Sequence, residues 1–542
     1  MPDVSRRTVL QSAGTAVAGV TLAGCTGGDE QDGTDGGDGG GSTPTSTAEQ
    51  NNQSNEDGSS GDTDPVTVVQ GPAPTQLDPH NHSATYTSNV VLAAYENLLF
   101  RDKDRRLYGE LASGWERVES GRARLTIRED VSFHDGSTLA PEDAAFSLNR
   151  IMLEDVGDLA SPQNFNPINR AEVVDGEFAI DVVSDGLNPI VFQTLGSHNG
   201  QIMKKSWVEE RDPEDIAVEM NGTGPFQLAD FEQDEYVRYE RFDDYRNEPA
   251  GIDQLEYRGA PEASVRVNQL IAGESDLAVN IPPQEVSRVE GNQGTSIDPV
   301  AALRMPFFAM VNTREPFDSV EFRRAMNLAV DNVSIVKNVL NGFGKPSNQP
   351  TQEGVFGYNP DVENYPQDYD RAEALVEESG YAGAEITLHT PTGRYLKDVE
   401  VAQAVASQID ELPNVTASVN QRDTNSLFSE LSPSLDKGPA CYMVGYANAI
   451  SDASYVIEPL LTTGGSSTSW ENEETQTLFE EAQSEPDEDE RERLLQELNQ
   501  KFHDLAPWIF LHQQSNLYGV SERLDWTARG DDHIDPYTFS LK

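Results

Sequence analysis

From residue 65 onward the chain alternates short strand signals with amphipathic helix signals, and that alternation limits it to a mixed α/β fold. Residues 66–69 read as a strand, and Ala123, Leu125 and Ile127 alternate with Arg122, Arg124, Thr126 and Arg128 as a half-buried strand does. Pro141 with Glu142 and Asp143 opens a helix whose Ala144, Leu148 and Ile151 share one face. Asp318 with Glu321, and Asp370 with Glu373, have the spacing of capping boxes, and Gly380 ends the second of these helices. Ala402, Ala406 and Ile409 form one apolar stripe; Leu494, Leu495, Leu498 and Phe502 form another. The stretch 65–542 is too long to close around one core, so two or three domains are expected.

The N-terminal part is of another kind. Ser5, Arg6, Arg7, Thr8, Val9 and Leu10 precede an apolar, uncharged run at 13–23, which reads as an export signal of the twin-arginine type. Leu22, Ala23, Gly24 and Cys25 resemble a lipobox: small residues admit a peptidase, and the Cys25 sulfur takes a lipid. The run is too short for an ordinary membrane anchor. Residues 26–64 hold ten Gly and ten Asp or Glu, with no Lys or Arg, and cannot bury enough apolar surface to offset ordering entropy. As a Gly-rich coil this tether spans roughly 35 Å r.m.s..

Charge sets the environment. A formal net charge of -55 comes from 93 acidic against 38 basic residues, spread along the chain rather than held in one tail. A carboxylate surface of this density suits high salt, where screening removes its self-repulsion, so a halophilic, haloarchaeal-type lipoprotein is expected. Nucleic acid is excluded as a partner for want of a basic stripe. With Cys25 lipidated, Cys441 is left without a disulfide mate, and in the apolar run 440–444 it reads as a small buried hydrophobe.

Catalytic patterns are missing: no nucleophile elbow, no His-Glu-x-x-His, no Cys-x-x-Cys and no phosphate loop. No cofactor is implied. His80 and His82 have a spacing open to a metal, but in an Asn- and Pro-containing loop they read as solvated, and no metal ligand is assigned.

Three long segments carry a resemblance: 111–116 (Leu-Ala-Ser-Gly-Trp-Glu), 125–136 (Leu-Thr-Ile-Arg-Glu-Asp-Val-Ser-Phe-His-Asp-Gly) and 141–148 (Pro-Glu-Asp-Ala-Ala-Phe-Ser-Leu). Together with 77–79, 222–226, 272–278, 322–331 and 506–509, in that order, they resemble family 5 extracellular solute-binding proteins. These are the dipeptide-, oligopeptide- and nickel-binding components of ABC importers. The resemblance implies a two-lobed, periplasmic-binding-protein-like α/β fold with a ligand cleft between the lobes and an extra subdomain at about 106–220. Lobe I would run over 65–300, lobe II over 301–506, and 507–542 would return to lobe I. Trp115 reads as core and His134 as a hydrogen-bonded turn residue, with Gly136 supplying a permissive backbone.

The implied function is capture of a small, peptide-like solute outside the cell and its delivery to ABC permease subunits, by a lipid-anchored monomer that breaks no bond. Peptide, an opine or glutathione-like compound, sugar and chelated nickel stay open as solutes; a receptor-linked sensor and a surface hydrolase are alternatives in other classes. In dipeptide-binding relatives a Gly-Trp segment carries an Asp for the peptide's amino group; here Gly445, Tyr446, Ala447, Asn448, Ala449, Ile450, Ser451 and Asp452 place Ala449 there. Arg394 falls near an Arg that relatives aim at the ligand carboxylate. Candidate ligand contacts are thus Arg394, Tyr446, Asn448 and Asp452, with Gly222 and Thr223 on the cleft wall.

Overall fold

The computed structural model describes residues 64–542, apart from 83, 154, 158, 160–164, 166, 198–199 and 432–437. Arg6, Arg7, Cys25, the run 13–23 and the stretch 26–63 lie outside the described residues.

Two sheets carry the chain, and it passes between them twice. The larger, eight-stranded sheet runs Thr295–Ala301, His512–Ser521, Leu277–Ala278, Val66–Gln70, Gln254–Gly259, Tyr236–Arg241, Phe226–Glu232, with Gly344–Pro346 paired beside His512–Ser521. Val66–Gln70 lies parallel to both neighbours, and every one of its residues is buried, as a strand covered on both faces requires. The second sheet has five strands: Val415–Arg422, Ala384–Pro391, Cys441–Ala447, Arg304–Met310 and Trp508–Phe510. Its two faces belong to two cores. Phe308, Met310, Cys441 and Met443 join one, in which Val401, Ala402, Val405 and Ile409 of the helix Asp398–Asp410 also sit. Met305, Phe307, Ala309 and Tyr442 join the other, with Leu494, Leu495, Leu498 and Phe502 of the helix Glu488–Leu505.

A third body grows out of the first lobe. Strands Ala112–Glu119, Arg122–Ile127, Ala179–Ser184 and Ile168–Val173 form a four-stranded sheet, and helix Pro141–Met152 packs Ala144, Leu148 and Ile151 onto it. Leu125 and Ile127 are in this core, as their alternation with charged neighbours requires. Trp115 is only half-buried at its edge.

The two passages between the main sheets are short and adjacent. Thr295–Ala301 ends in the large sheet, and after Ala302 and Leu303 the chain enters Arg304–Met310 of the five-stranded one. The return is Trp508–Phe510, then Leu511, then His512–Ser521, so Trp508 still belongs to the second sheet and the large sheet is re-entered at His512. The passages are tied together: Ala302 N donates to Gln514 O at 2.8 Å, and the Gln513 side-chain amide donates to Ala302 O at 2.9 Å. Two adjacent connections of this length are what a hinge needs: few residues to absorb a rotation, with a packed sheet on each side.

Two helix starts differ from the sequence reading. Ser319, rather than Asp318, caps Val320–Ala329, accepting from Phe322 N, while the Asp318 carboxylate accepts from the Tyr381 hydroxyl at 3.0 Å. Asp368, rather than Asp370, caps Tyr369–Ser379, accepting from Arg371 N at 2.9 Å; its own N–H is held by Leu328 O. Gly380 does end that helix, with φ 82°.

Candidate functional site

The end of strand Cys441–Ala447 is the place to start, because register decides what faces the gap between the lobes. Arg304 lies opposite Ala447, Met305 opposite Tyr446, and Pro306 opposite Gly445. Alternation then puts Arg304, Gly445 and Ala447 on one face and Tyr446 on the other. Tyr395 packs on the Arg304 face: a Cβ at Gly445 would meet its ring at 2.7 Å, Gly445 N donates to its hydroxyl at 2.6 Å, and only Gly leaves room for the ring. Tyr446 packs the other way, with Tyr455, and burial pushes its phenol up to about 12.

Arg394 is set beside Tyr395 by its loop. Asp398, buried at the first turn of Asp398–Asp410, gathers the backbone N–H groups of Gly393, Arg394 and Tyr395 at 3.2, 2.7 and 3.1 Å. Gly393 takes the positive φ of 75° that this turn demands. The guanidinium of Arg394 is left exposed, 5.6 Å from the centre of the Tyr395 ring. Arg304 and Arg394 both act electrostatically on the Tyr395 hydroxyl, which burial nonetheless holds above its usual range. The second lobe therefore presents two guanidiniums around one phenol.

Across the gap stands the segment 529–533 of the first lobe. Asp532 has φ 64°, accepts on one carboxylate oxygen from the Asn516 amide and faces Arg304, whose Nη2 is 3.9 Å from the other oxygen. Burial raises its carboxyl above the usual range, against the pull of Arg304. Beside it, Arg529 holds Asp531 through two bonds of 3.0 and 2.6 Å and donates to Arg101 O. Arg101 in turn crosses between the lobes, its Nη2 donating to Ile450 O at 2.9 Å, while its other bonds go to Gly196 O and Gln193 O. The arrangement can hold a carboxylate on the second lobe, hold a cationic group on the first, and shut the lobes on both.

The other residues singled out in the sequence are used internally. Asp452 is 1% exposed and takes Arg491 Nη1 and Nη2 at 2.7 and 2.9 Å, as well as the Ser454 hydroxyl. Asn448 spends its amide on Asp452 O and Asp452 N, and its own N–H on Leu303 O at the hinge. These two brace the loop that follows the strand. Gly222 finds its partners in the first lobe, and Thr223 beside it is buried there. Gly222 N donates to His134 Nδ1 and Gly222 O accepts from His134 N, while a Cβ on Gly222 would strike Ala94 O. The structure thus does not bring them to the Arg394 face. His134 is a half-buried, hydrogen-bonded turn residue whose imidazole is pushed down to about 4 by desolvation.

His80 and His82 are buried, not solvated as the loop composition suggests. Asp78 is the reason: bidentate to Arg150 at 2.9 and 2.6 Å, it also caps His80 N, and His80 Nε2 lies 2.7 Å from Gln201 O. Among the described residues no group of His, Cys, Asp and Glu is placed to hold a metal ion. Sequence reading missed Arg304, Asp532, Arg101 and Tyr395. A lone Arg in Ala-Leu-Arg-Met and an Asp in an acidic run carry no spacing signal; only the pairing of 304 with 447 reveals the first.

Two lobes joined by paired crossings, with charged groups facing one another across the join, define a two-lobed binding protein. More particularly, the chain belongs to the bacterial extracellular solute-binding proteins, family 5, whose model for the middle region matches residues 106–468. It is 23% identical over 462 residues to the glutathione-binding protein GsiB of Pectobacterium atrosepticum, covering 83% of this chain and 88% of that one. Among solved structures it resembles HbpA2 of Haemophilus parasuis, with a TM-score of 0.79, 21% identity and coverage of 88% and 99% of the two chains. It also resembles DppA of Helicobacter pylori in complex with the peptide STSA, with a TM-score of 0.73, 18% identity and coverage of 88% and 98%.

Proposed function

We propose that this chain is the extracellular substrate-binding component of an ABC importer, which captures a peptide or peptide-like solute between its lobes and hands it unaltered to membrane permease subunits. The observation that carries this reading is the charged face around Tyr395, with Arg394 and Arg304 on one lobe and Asp532 on the other. A zwitterionic solute suits such a face, and relatives named for glutathione and for a bound peptide take solutes of that kind. Solute touching both lobes favours the closed state by the difference in its affinity for closed and open forms.

Arg6 and Arg7 serve export, Cys25 carries the lipid, and the acidic tether keeps the monomer near its permease at raised effective concentration. The lobes divide as 65–300, with the subdomain at about 106–220, then 301–506, with 507–542 returning. Arg394 is the carboxylate contact. Asn448 and Asp452 brace the loop that follows the strand, while Tyr446 on the opposite face and Gly222 and Thr223 in the first lobe make no contact with that carboxylate. No catalytic residue, cofactor or nucleic-acid partner belongs to this function.

Thermal-shift screening in molar salt with di- and oligopeptides, glutathione, sugars and nickel chelates tests it. A peptide-class solute is expected to raise the melting temperature, since a ligand selective for the folded state stabilises by mass action. Arg394→Ala should abolish that shift and leave the unliganded melting point within a degree or so. A shift from sugars or nickel chelates alone would reject the peptide reading.

A further inference from the structure

We propose that the solute carries a second carboxylate, bound by Arg304 beside the one bound by Arg394, and that Asp532 is the counter-charge for its ammonium group. This rests on the reading of the interlobe face as the solute site.

Three observations carry the inference. First, register puts Arg304 on the Tyr395 side of the second sheet, the side where Arg394 stands, so the two guanidiniums address one volume rather than opposite faces. Secondly, neither is saturated. Arg304 meets Asp532 only at 3.9 Å, beyond hydrogen-bond distance, and no ion pair holds Arg394 among the described residues. By contrast Arg150, Arg491 and Arg529 each bind a carboxylate through two bonds of 3.0 Å or less. With 93 acidic residues against 38 basic ones, carboxylates to satisfy an arginine are abundant in this chain, so two unsatisfied forks at one site point to a ligand. Thirdly, Asp532 offers an acidic group from the other lobe, with one oxygen engaged by Asn516 and the other 3.9 Å from Arg304 Nη2. A buried ammonium without a counter-charge would be costly.

The charges then sum to two positive and one negative on the protein, complementary to a peptide-like solute of net charge -1. An ammonium entering between Arg304 and Asp532 would replace their long contact with a short bond to the carboxylate, while Arg304 turns to the second carboxylate. Lobe closure thereby depends on both charges of the solute.

The test uses matched dipeptides, Ala-Glu against Ala-Gln and Glu-Ala against Gln-Ala, titrated calorimetrically into the mature chain in molar KCl. At least one acid should bind about ten- to hundredfold more tightly than its amide, the range for a charge-assisted hydrogen bond. Arg304→Gln should collapse that ratio towards one. Arg304→Lys, which keeps the charge but not the fork, should retain part of the ratio, and unliganded melting temperatures check folding of both variants. N-acetylation of the preferred peptide should weaken binding to the parent protein and lose most of its effect in Asp532→Asn. If acids and amides bind alike, or the ratio survives Arg304→Gln, this inference falls and the peptide reading stands. If none of the four binds, this inference falls, and the peptide reading is decided by the thermal-shift screen with oligopeptides and glutathione.

Discussion

Single residues here divide into those that hold the site and those that face it. Asp452 is the clearest of the first kind: removing a carboxylate that takes both Nη atoms of a buried Arg491 leaves an uncompensated charge, so Asp452→Ala should cost about 3–5 kcal/mol in urea unfolding. His512, at the return crossing, makes a pH prediction. Its ring is fully buried, neither nitrogen has a hydrogen-bond partner among the described residues, and burial pushes it down to about 4. An unfolded His titrates near 6.5, so between those values the unfolded chain binds a proton that the folded chain refuses. Stability from this group is therefore present above about pH 6.5 and lost as pH falls towards 4. His512→Phe should lower the melting temperature less than the parent does between pH 7 and 4.5; equal slopes would contradict the assignment. Arg394 was singled out in the sequence through the resemblance alone, because relatives carry an Arg nearby. Arg304 was not, because its partner across the sheet is more than a hundred residues away and its own neighbours are apolar.

Elements were more legible than their ends. The strand at 66–69 and the helix opening at Pro141 lie where composition and periodicity put them, since burial on both faces, or on one stripe, leaves a direct trace in residue type. Caps left a weaker trace, because an acidic chain offers several candidates per helix start, and tertiary contacts decide among them. Asp368, fixed by Leu328, therefore predicts a measurable difference: Asp368→Ala should destabilise by about 1 kcal/mol, while Asp370→Ala should stay near zero. The hinge depends on packing in the same way. Nothing in Ala302, Leu303 or Leu511 marks a crossing until the sheets on either side are known.

At the scale of the molecule, a net charge of -55 dominates the response to solvent. Repulsion among carboxylates opposes folding in dilute buffer and is screened over about 3 Å at molar ionic strength. Raising KCl from 0.1 to 2 M should raise the melting temperature; a flat or falling curve would reject salt adaptation. The way the lobes interleave was not readable from length or composition. The strand His512–Ser521 sits inside the large sheet, between Thr295–Ala301 and Leu277–Ala278. A ribosome must accordingly release almost the entire polypeptide before the first lobe can close, so nascent chains that stop short of 512 will keep an open slot in that sheet and remain open to proteases and chaperones.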